Sequence, residues 1–499
     1  MKSVRLSASS FYGLYRPSTC EKRVFLLAAA EPGGEPSELD QVMRDLGERH
    51  EKEHLAAFPA ARNLAEGSLA DRAQRTREAV QNRAPVIYQG VLRAAFPGSR
   101  EVVTGIPDFM LLSNDSYQIR DCKLSRSIRG ESHPEIRHQL QTYGWLFEKT
   151  FDRPPAGLEV YLGDRTIEAV TYAGAAQAEK DLGGIRHLLL LADEPWEPLG
   201  WSKCGACLFQ QRCWTKAAAE HDVSLVYGVD QGTARVLRDL GISTYDKLLE
   251  TMDAKRLAAL TRARGGVSRR VGAAAGRILS QAQALASGKV IKLGPLTMPE
   301  TPMVMLDLEG MPPQHDELDT VYLWGTQVYG EAGPEGPYSP AMAGFGPGAD
   351  REGWEKFREI AGRIFGERGR IPFVHWGDYE KAKIRSYIDR FGDPTGVAAR
   401  VLECCFDLLR AVRDSLALPV PSYGLKVVEG LSGYKRTMDD YGGDWSIGRY
   451  VRARESGDER ERSQIMAEIA RYNEEDLHAM AAILQWVEAE SVDRPPGEP

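Results

Sequence analysis

The chain lacks any run near the ~18 consecutive apolar residues that a membrane-spanning helix needs. Its early apolar stretch, Val24 to Ala30, is too short and badly placed for a secretory signal, so a cytoplasmic setting without membrane partners is the expectation. It also lacks the bulk positive charge of a protein that coats nucleic acid: the formal net charge is −8, which permits a local basic path at most. Seven cysteines, an odd number in a 499-residue chain, argue against a disulfide framework. No GxxxxGKS/T loop and no internal repeat is visible. What is present is an ordinary globular composition, 42% hydrophobic and 27% charged, in a chain too long for one core. An acidic balance also suits metal sites built from carboxylates.

The order of patterns predicts an α/β multidomain protein. Residues 1–220 mix helical patterns with short β-type runs and end in a cysteine-rich segment. Residues 221–292 read as short helices separated by glycine turns such as Gly228 and Gly241; from 251 to 290 they carry eight Lys or Arg and one acid, Asp253. A Pro/Gly hinge then leads into a third domain, 296–488, containing a Gly/Pro-rich loop from Ala332 to Asp350. Residues 489–499 read as a disordered tail. Strands alternating with helices in both outer parts give the α/β expectation.

In the first part, Gly105-Ile-Pro-Asp108, a polar turn at Ser113 to Ser116, and Asp121-Cys-Lys123 predict a β-hairpin. Strand alternation puts Asp121 and Lys123 on one face, where Asp108 of the neighbouring strand can join them. Two such carboxylates repel unless a hard divalent cation, Mg²⁺ or Mn²⁺, lies between them. A lysine beside the metal can orient and help deprotonate an attacking water. Gln139 and Tyr143, four apart, share a helix face, and a helix opening at Gly47 can deliver His50. A lone DxK is ordinarily a solvated surface pair; four elements in order argue otherwise.

This ensemble resembles the PD-(D/E)xK nucleases of the RecB type, which implies a restriction-endonuclease-like fold. By resemblance His50, Asp108 and Asp121 bind metal, Lys123 is catalytic, and Gln139 and Tyr143 support the site and contact DNA. The third element has Asp where many relatives have Glu.

Cys204, Cys207 and Cys213 supply three thiolates, and Cys20 is the natural fourth; their spacing alone suits zinc or an iron–sulfur cluster equally. The resemblance to cluster-bearing RecB-like nucleases implies a 4Fe–4S centre of mainly structural role, with zinc as the alternative. Cys122, Cys404 and Cys405 fall in apolar runs and are expected as buried core thiols. The middle segment resembles a degenerate helix–hairpin–helix unit, in which turn amides and Arg262, Arg264, Arg269 and Arg270 would hold phosphates. A helical spacer with merely solvated arginines is the equal alternative.

A second set of acids follows. Asp307 and Glu309 end an apolar strand with the same parity, Glu380 or Asp378 stands at a strand-to-helix junction, and Tyr472 and Asp476 share a helix face. Such acids from separate segments can hold two cations about 4 Å apart while the tyrosine positions water. The order resembles DnaQ-like exonucleases of the tyrosine subtype, of ribonuclease H-like fold. The middle acid departs from that pattern: Glu380 stands where relatives have Asp, and Trp376 where they have Asn, which puts full activity of this second site in question.

The whole order of parts is similar to bacterial RecB-like nucleases with a C-terminal ribonuclease H-like domain. The resemblance implies metal-dependent degradation of DNA, from single-stranded ends, in repair, recombination or defence, with an external helicase as a partner. An RNA 3′-end exonuclease and a nucleic-acid-binding scaffold with a decayed second site are the competing readings.

Overall fold

Apolar–polar alternation in 116–120 and the continuous apolar run 303–306 call for different sheets, one covered mainly on one side and one buried on both. The computed structural model describes residues 6–130, 132–264, 267–311, 320–346, 348–438 and 442–492. It divides into two compact units, 1–36, 43–197 and 202–212 in the first and 37–42, 198–201 and 213–499 in the second.

The first unit is built on a six-stranded sheet of β1 (Arg62–Asn63), β2 (Val86–Tyr88), β3 (Phe109–Ser113), β4 (Ser116–Cys122), β5 (Gly157–Tyr161) and β6 (Ile167–Val170), in that spatial order. The expected hairpin is β3–β4, paired antiparallel from Phe109↔Arg120 to Ser113↔Ser116. Its two-residue turn places Asn114 at φ 52°, a left-handed conformation that asparagine tolerates. β4 then pairs in parallel with β5, and the crossover between them is a long helix, α2 (Pro134–Phe151). Pro134 at its first turn preorganises the start. Ile136, Leu140, Trp145, Leu146 and Phe147 of α2 pack into one core with Ile119, Leu158 and Val103. An earlier helix, α1 (Glu38–Ala56), carries His50. Gly47 lies inside α1 and does not open it as expected: the helix begins nine residues earlier, where Ser37 Oγ accepts from the Asp40 backbone N–H at 3.1 Å and caps its start.

In the second unit, β9 (Met303–Met311) is central; β7 (Thr261–Arg264) and β8 (Val267–Arg270) form a separate antiparallel ribbon before it. β9 pairs antiparallel with β10 (Thr320–Gly330), which pairs with β11 (Ser339–Met342). On its other side β9 runs parallel to β12 (Phe373–His375), which is parallel to β13 (Cys405–Asp407). Helices cover both faces. Trp354 and Phe357 of α6 (Ala349–Arg368) pack with Trp324 and Tyr387 on one, and Leu477, Met480, Ile483 and Val487 of α10 (Glu459–Val492) with Leu416 and Val412 on the other.

Four expectations need correction. The segment 221–292 is not a body of its own but shares the second unit: Gln281 donates to the Val420 carbonyl at 3.1 Å and accepts from Tyr423 Oη at 2.9 Å, and Ile291 pairs with Ala417. Its arginines 262–270 stand on the β7–β8 ribbon, not on short helices. The Gly/Pro-rich stretch 332–350 contains β11 and the start of α6, because one β10 edge recruits it as a strand. Finally, α10 continues through Val492, so the tail expected from 489 begins in helix; 493–499 lie outside the described residues.

Trp324 is wholly buried among Trp354, Phe357 and Tyr387. Trp324→Ala should therefore destabilise the second unit by about 3–5 kcal/mol, read as a lowered midpoint in urea monitored by far-ultraviolet circular dichroism.

Candidate metal centres

In the first unit the end of β4 and the residue preceding β3 bring two acids together. Asp121 is 1% exposed, and its Oδ2 lies 2.6 Å from Lys123 Nζ. Asp108 accepts from the Cys122 backbone N–H at 2.7 Å and from Gln89 Nε2 at 3.0 Å. Burial, then the charge of Asp121, pushes the Asp108 carboxyl well above its ordinary value. Burial works against a charged Lys123, but Asp121, Tyr12 and Asp108 outweigh it and hold the ammonium well above the usual lysine value. Two neighbouring acids, Asp121 buried and Asp108 partly so, offer the all-oxygen set that fits a hard divalent cation.

Gln139 and Tyr143 stand beside this pair, as their spacing predicts. Gln139 Nε2 donates to Tyr143 Oη at 2.8 Å, and Tyr143 Oη donates to the Ile106 carbonyl at 3.1 Å, fixing the turn that presents Asp108. Burial, then Asp121, raises the Tyr143 phenol well above its ordinary value. Gly105 has a steric reason: a Cβ there would meet Leu146 Cδ1 at 2.6 Å and Tyr143 Cδ1 at 2.8 Å.

His50 is placed otherwise. It is buried, but its Nε2 faces the Tyr161 carbonyl at 3.4 Å and its ring stacks on Tyr161 at 4.8 Å. Among the described residues, His50, Asp108 and Asp121 do not form a three-ligand cluster. The acid that α1 does bring is its neighbour: Gln89 Nε2 donates both to Glu51 Oε1 at 2.6 Å and to Asp108 Oδ1. Sequence reasoning missed Glu51 and Gln89. Glu51 adjoins His50, whereas Gln89, held at φ 56° after β2, carries no motif signal.

The second unit does form a three-ligand cluster: carboxylate oxygens of Asp307, Glu309 and Asp476 all lie within 4.8 Å of one another. β9 supplies the first two, and α10 the third. Burial, then Asp476 and Glu309, holds Asp307 well above the usual carboxylate range. Burial, then Asp476, raises Glu309 to about 8, with Ser446 and Asn473 opposing. Burial raises Asp476 to about 6 against the pull of Arg436. Three acids of one sign, Glu309 and Asp476 buried and Asp307 partly so, fit a divalent cation, which would neutralise what the protein leaves uncompensated.

Of the two candidates for the middle acid, Asp378 is exposed, while Glu380 is 3% exposed, 3.5 Å from His375 Nδ1, and close enough to raise Asp307 further. Glu380 does not enter the three-acid cluster. Tyr472 is buried beneath Lys426 Nζ, 5.1 Å from its ring centroid, and burial with the acids raises its phenol. Two further residues escaped sequence reading. Arg436 holds Asp476 Oδ1 at 2.5 Å and grips Glu429 at 2.8 and 2.7 Å. Asn473 donates to Asp307 Oδ2 at 2.6 Å; it lies inside the Tyr472–Asp476 motif, but at a position the motif leaves open.

None of the seven cysteines is in a disulfide. Cys20 precedes the helix Glu21–Ala28, Cys204 ends the helix Trp201–Cys204, and Cys213 lies on the helix Gln210–Ala219. Cys207 Sγ accepts weakly from Arg23 Nη1 at 4.0 Å, and burial pushes the Cys20 thiol up. Cys122 is a buried thiol as expected; Cys404 and Cys405 are only half-buried, because they sit where a helix passes into the edge strand β13.

Arg262 does not project into solvent. Its Nε donates to both oxygens of Asp230 at 3.1 and 3.0 Å and its Nη1 to the Arg270 carbonyl at 2.6 Å, so it ties the ribbon to the helix Gln231–Asp239. Arg269 and Arg270 are exposed, and the Arg264 side chain lies outside the described residues.

Residues 23–214 match the family model of the PD-(D/E)XK nuclease superfamily, and residues 304–488 that of the RNase_H superfamily. The chain therefore carries an N-terminal domain of the first and a C-terminal domain of the second, in the expected α/β folds, and is a nuclease-type hydrolase. No curated protein matches it. A solved structure described as "Crystal structure of SSO0001" is similar at 17% identity over 35% of this chain and 97% of that one, with a TM-score of 0.20, too low to bear on the fold.

Gly105→Ala should overpack the turn at Asp108 and cost about 1–3 kcal/mol, measured by denaturant titration of the full chain. Arg436→Met should cost about 3–5 kcal/mol by leaving Glu429 and Asp476 buried without their cation. Mn²⁺ should restore part of that loss in a thermal melt, because it neutralises the same cluster.

Proposed function

We propose that the chain hydrolyses DNA phosphodiester bonds at two separate metal-dependent centres, acting on single-stranded ends in repair, recombination or defence. The observation that carries this reading is the buried cluster of Asp307, Glu309 and Asp476, whose ligand oxygens lie within 4.8 Å of one another. Bound Mg²⁺ or Mn²⁺ would supply Lewis-acid charge to the attacking and leaving oxygens. Asp307, Glu309 and Asp476 would hold it in the second unit, with Glu380 as a further acid nearby, and Asp108 and Asp121 would hold it in the first. His50 is better read as a packing partner of Tyr161 than as a ligand.

The remaining roles belong to side chains that move or place protons. Lys123, kept ionised beside Asp121, would orient an attacking water; Gln139 and Tyr143 fix the turn bearing Asp108. Tyr472, on the same helix as Asp476, would position water in the second centre. Exposed Arg269 and Arg270 on the β7–β8 ribbon, with Arg264, would follow the phosphate backbone without reading sequence. The RecB-like assignment rests on the motif order, and with it the reading of Cys20, Cys204, Cys207 and Cys213 as holders of a 4Fe–4S cluster. A helicase partner and a cytoplasmic location are part of the same reading.

Labelled single-stranded DNA and RNA offered to the full chain with Mg²⁺ or Mn²⁺ should be cleaved, DNA in preference, and excess chelator should stop both. Asp121→Ala and Asp307→Ala should each remove one component of cleavage, and together lower it by at least about a hundredfold. Cleavage that survives the double variant contradicts the two-centre reading, and RNA preferred over DNA through Asp307 would move the function to RNA ends. Anaerobically prepared protein should contain iron and acid-labile sulfide in equal amounts, lost in Cys207→Ser; zinc without sulfide would replace the cluster in this account.

A further inference from the structure

Asn473 is completely buried, one residue from Tyr472 and three from Asp476 on α10. Its amide is used at both ends. Nδ2 donates to Asp307 Oδ2 at 2.6 Å, and Oδ1 accepts from Tyr338 Oη at 2.8 Å. Because an ionised carboxylate only accepts, the Asp307 bond identifies the N–H₂ end of the amide and leaves Oδ1 to accept from the Tyr338 hydroxyl.

The space it occupies is provided by one glycine. In the β9–β10 register, Gly325 stands directly opposite Asp307. A Cβ at Gly325 would fall 1.7 Å from Asn473 Oδ1 and 3.2 Å from the Tyr338 ring, so any side chain there would expel the amide. A glycine in the middle of a central strand weakens that strand; here the vacancy it leaves is filled by the amide.

The chemistry at 473 is restrictive. A carboxylate would be a fourth negative charge beside three acids that already raise one another, and an apolar side chain would remove the Asn473 donor from Asp307 Oδ2. A carboxamide is the neutral group of the right size that donates to an acid without adding charge. Glu309 benefits too, since Asn473 opposes the rise of its carboxyl.

We propose that Asn473 is a positioning residue of the second centre: anchored by Tyr338 in the space left by Gly325, it fixes the Asp307 carboxylate in the orientation that closes the three-acid cluster. This rests on reading that cluster as a divalent-cation centre. Donors that orient metal-binding side chains affect metal affinity directly, beyond their share of stability.

The test is Mn²⁺ titration, followed by electron paramagnetic resonance, of the full chain carrying Asp121→Ala to remove the first centre. Melting temperatures without metal are recorded in parallel. Asn473→Ala should weaken Mn²⁺ binding at the second centre by about 10–100-fold, Tyr338→Phe by a smaller factor, and Asp307→Ala should abolish it. Parental affinity in Asn473→Ala, with binding lost in Asp307→Ala, overturns this proposal and leaves the centre standing. Binding that is unchanged in Asp307→Ala overturns the centre and the proposal together. Should Asn473→Ala fail to fold, Tyr338→Phe decides, since it keeps the amide and removes only its anchor: parental affinity there overturns the proposal.

Discussion

Like charge forced into a low-dielectric interior is the constraint on which both units turn. A buried carboxylate is costly alone and costlier beside another, so each cluster persists only with donors or cations that the fold supplies around it. In the first unit the compensation is the Lys123 ammonium and the backbone N–H of Cys122. In the second it is the Arg436 guanidinium, which grips Asp476 and Glu429 at once. Neither set is complete: Asp108 is held well above the usual carboxylate range, and Glu309 is pushed up to about 8. A structural ion pair would close on itself, and this incompleteness is what supports the proposed cation centres.

The two units, of different folds, meet the constraint with the same neutral device. A single carboxamide stands against the acids in each: Gln89 Nε2 between Glu51 and Asp108, and Asn473 against Asp307. Each is held in place by backbone geometry a motif does not record. Gln89 sits at positive φ and donates its own N–H to the Asp108 carbonyl at 2.8 Å, while Asn473 depends on a glycine across the sheet. A carboxamide donates to acids without adding to their repulsion, and it does so without neutralising the charge a metal needs.

What was legible in the sequence was what is local. The β3–β4 hairpin, the meeting of Asp121 with Lys123, the Gln139–Tyr143 face and the convergence of Asp307, Glu309 and Asp476 all follow from period-two or i, i+4 spacing plus motif order. The parts that failed depend on long-range packing. His50 has the right helix, but the helix phase turns it onto Tyr161 and delivers Glu51 instead. The arginines 262–270 gave no apolar alternation, so nothing marked them as strands; only in the fold does Arg262 reach Asp230 and turn from ligand candidate into a tie. The Pro/Gly hinge between 292 and 296 suggests a domain boundary, yet Gln281 and Tyr423 join the two sides, because a hinge composition marks a turn in the chain and not a break in packing.

The most direct measurement of the central claim is anomalous scattering from crystals grown with Mn²⁺. The account predicts manganese between Asp108 and Asp121 and among Asp307, Glu309 and Asp476, with Gln89 and Asn473 still hydrogen-bonded to their acids. Well-ordered crystals in saturating Mn²⁺ with no anomalous density at either place would contradict it.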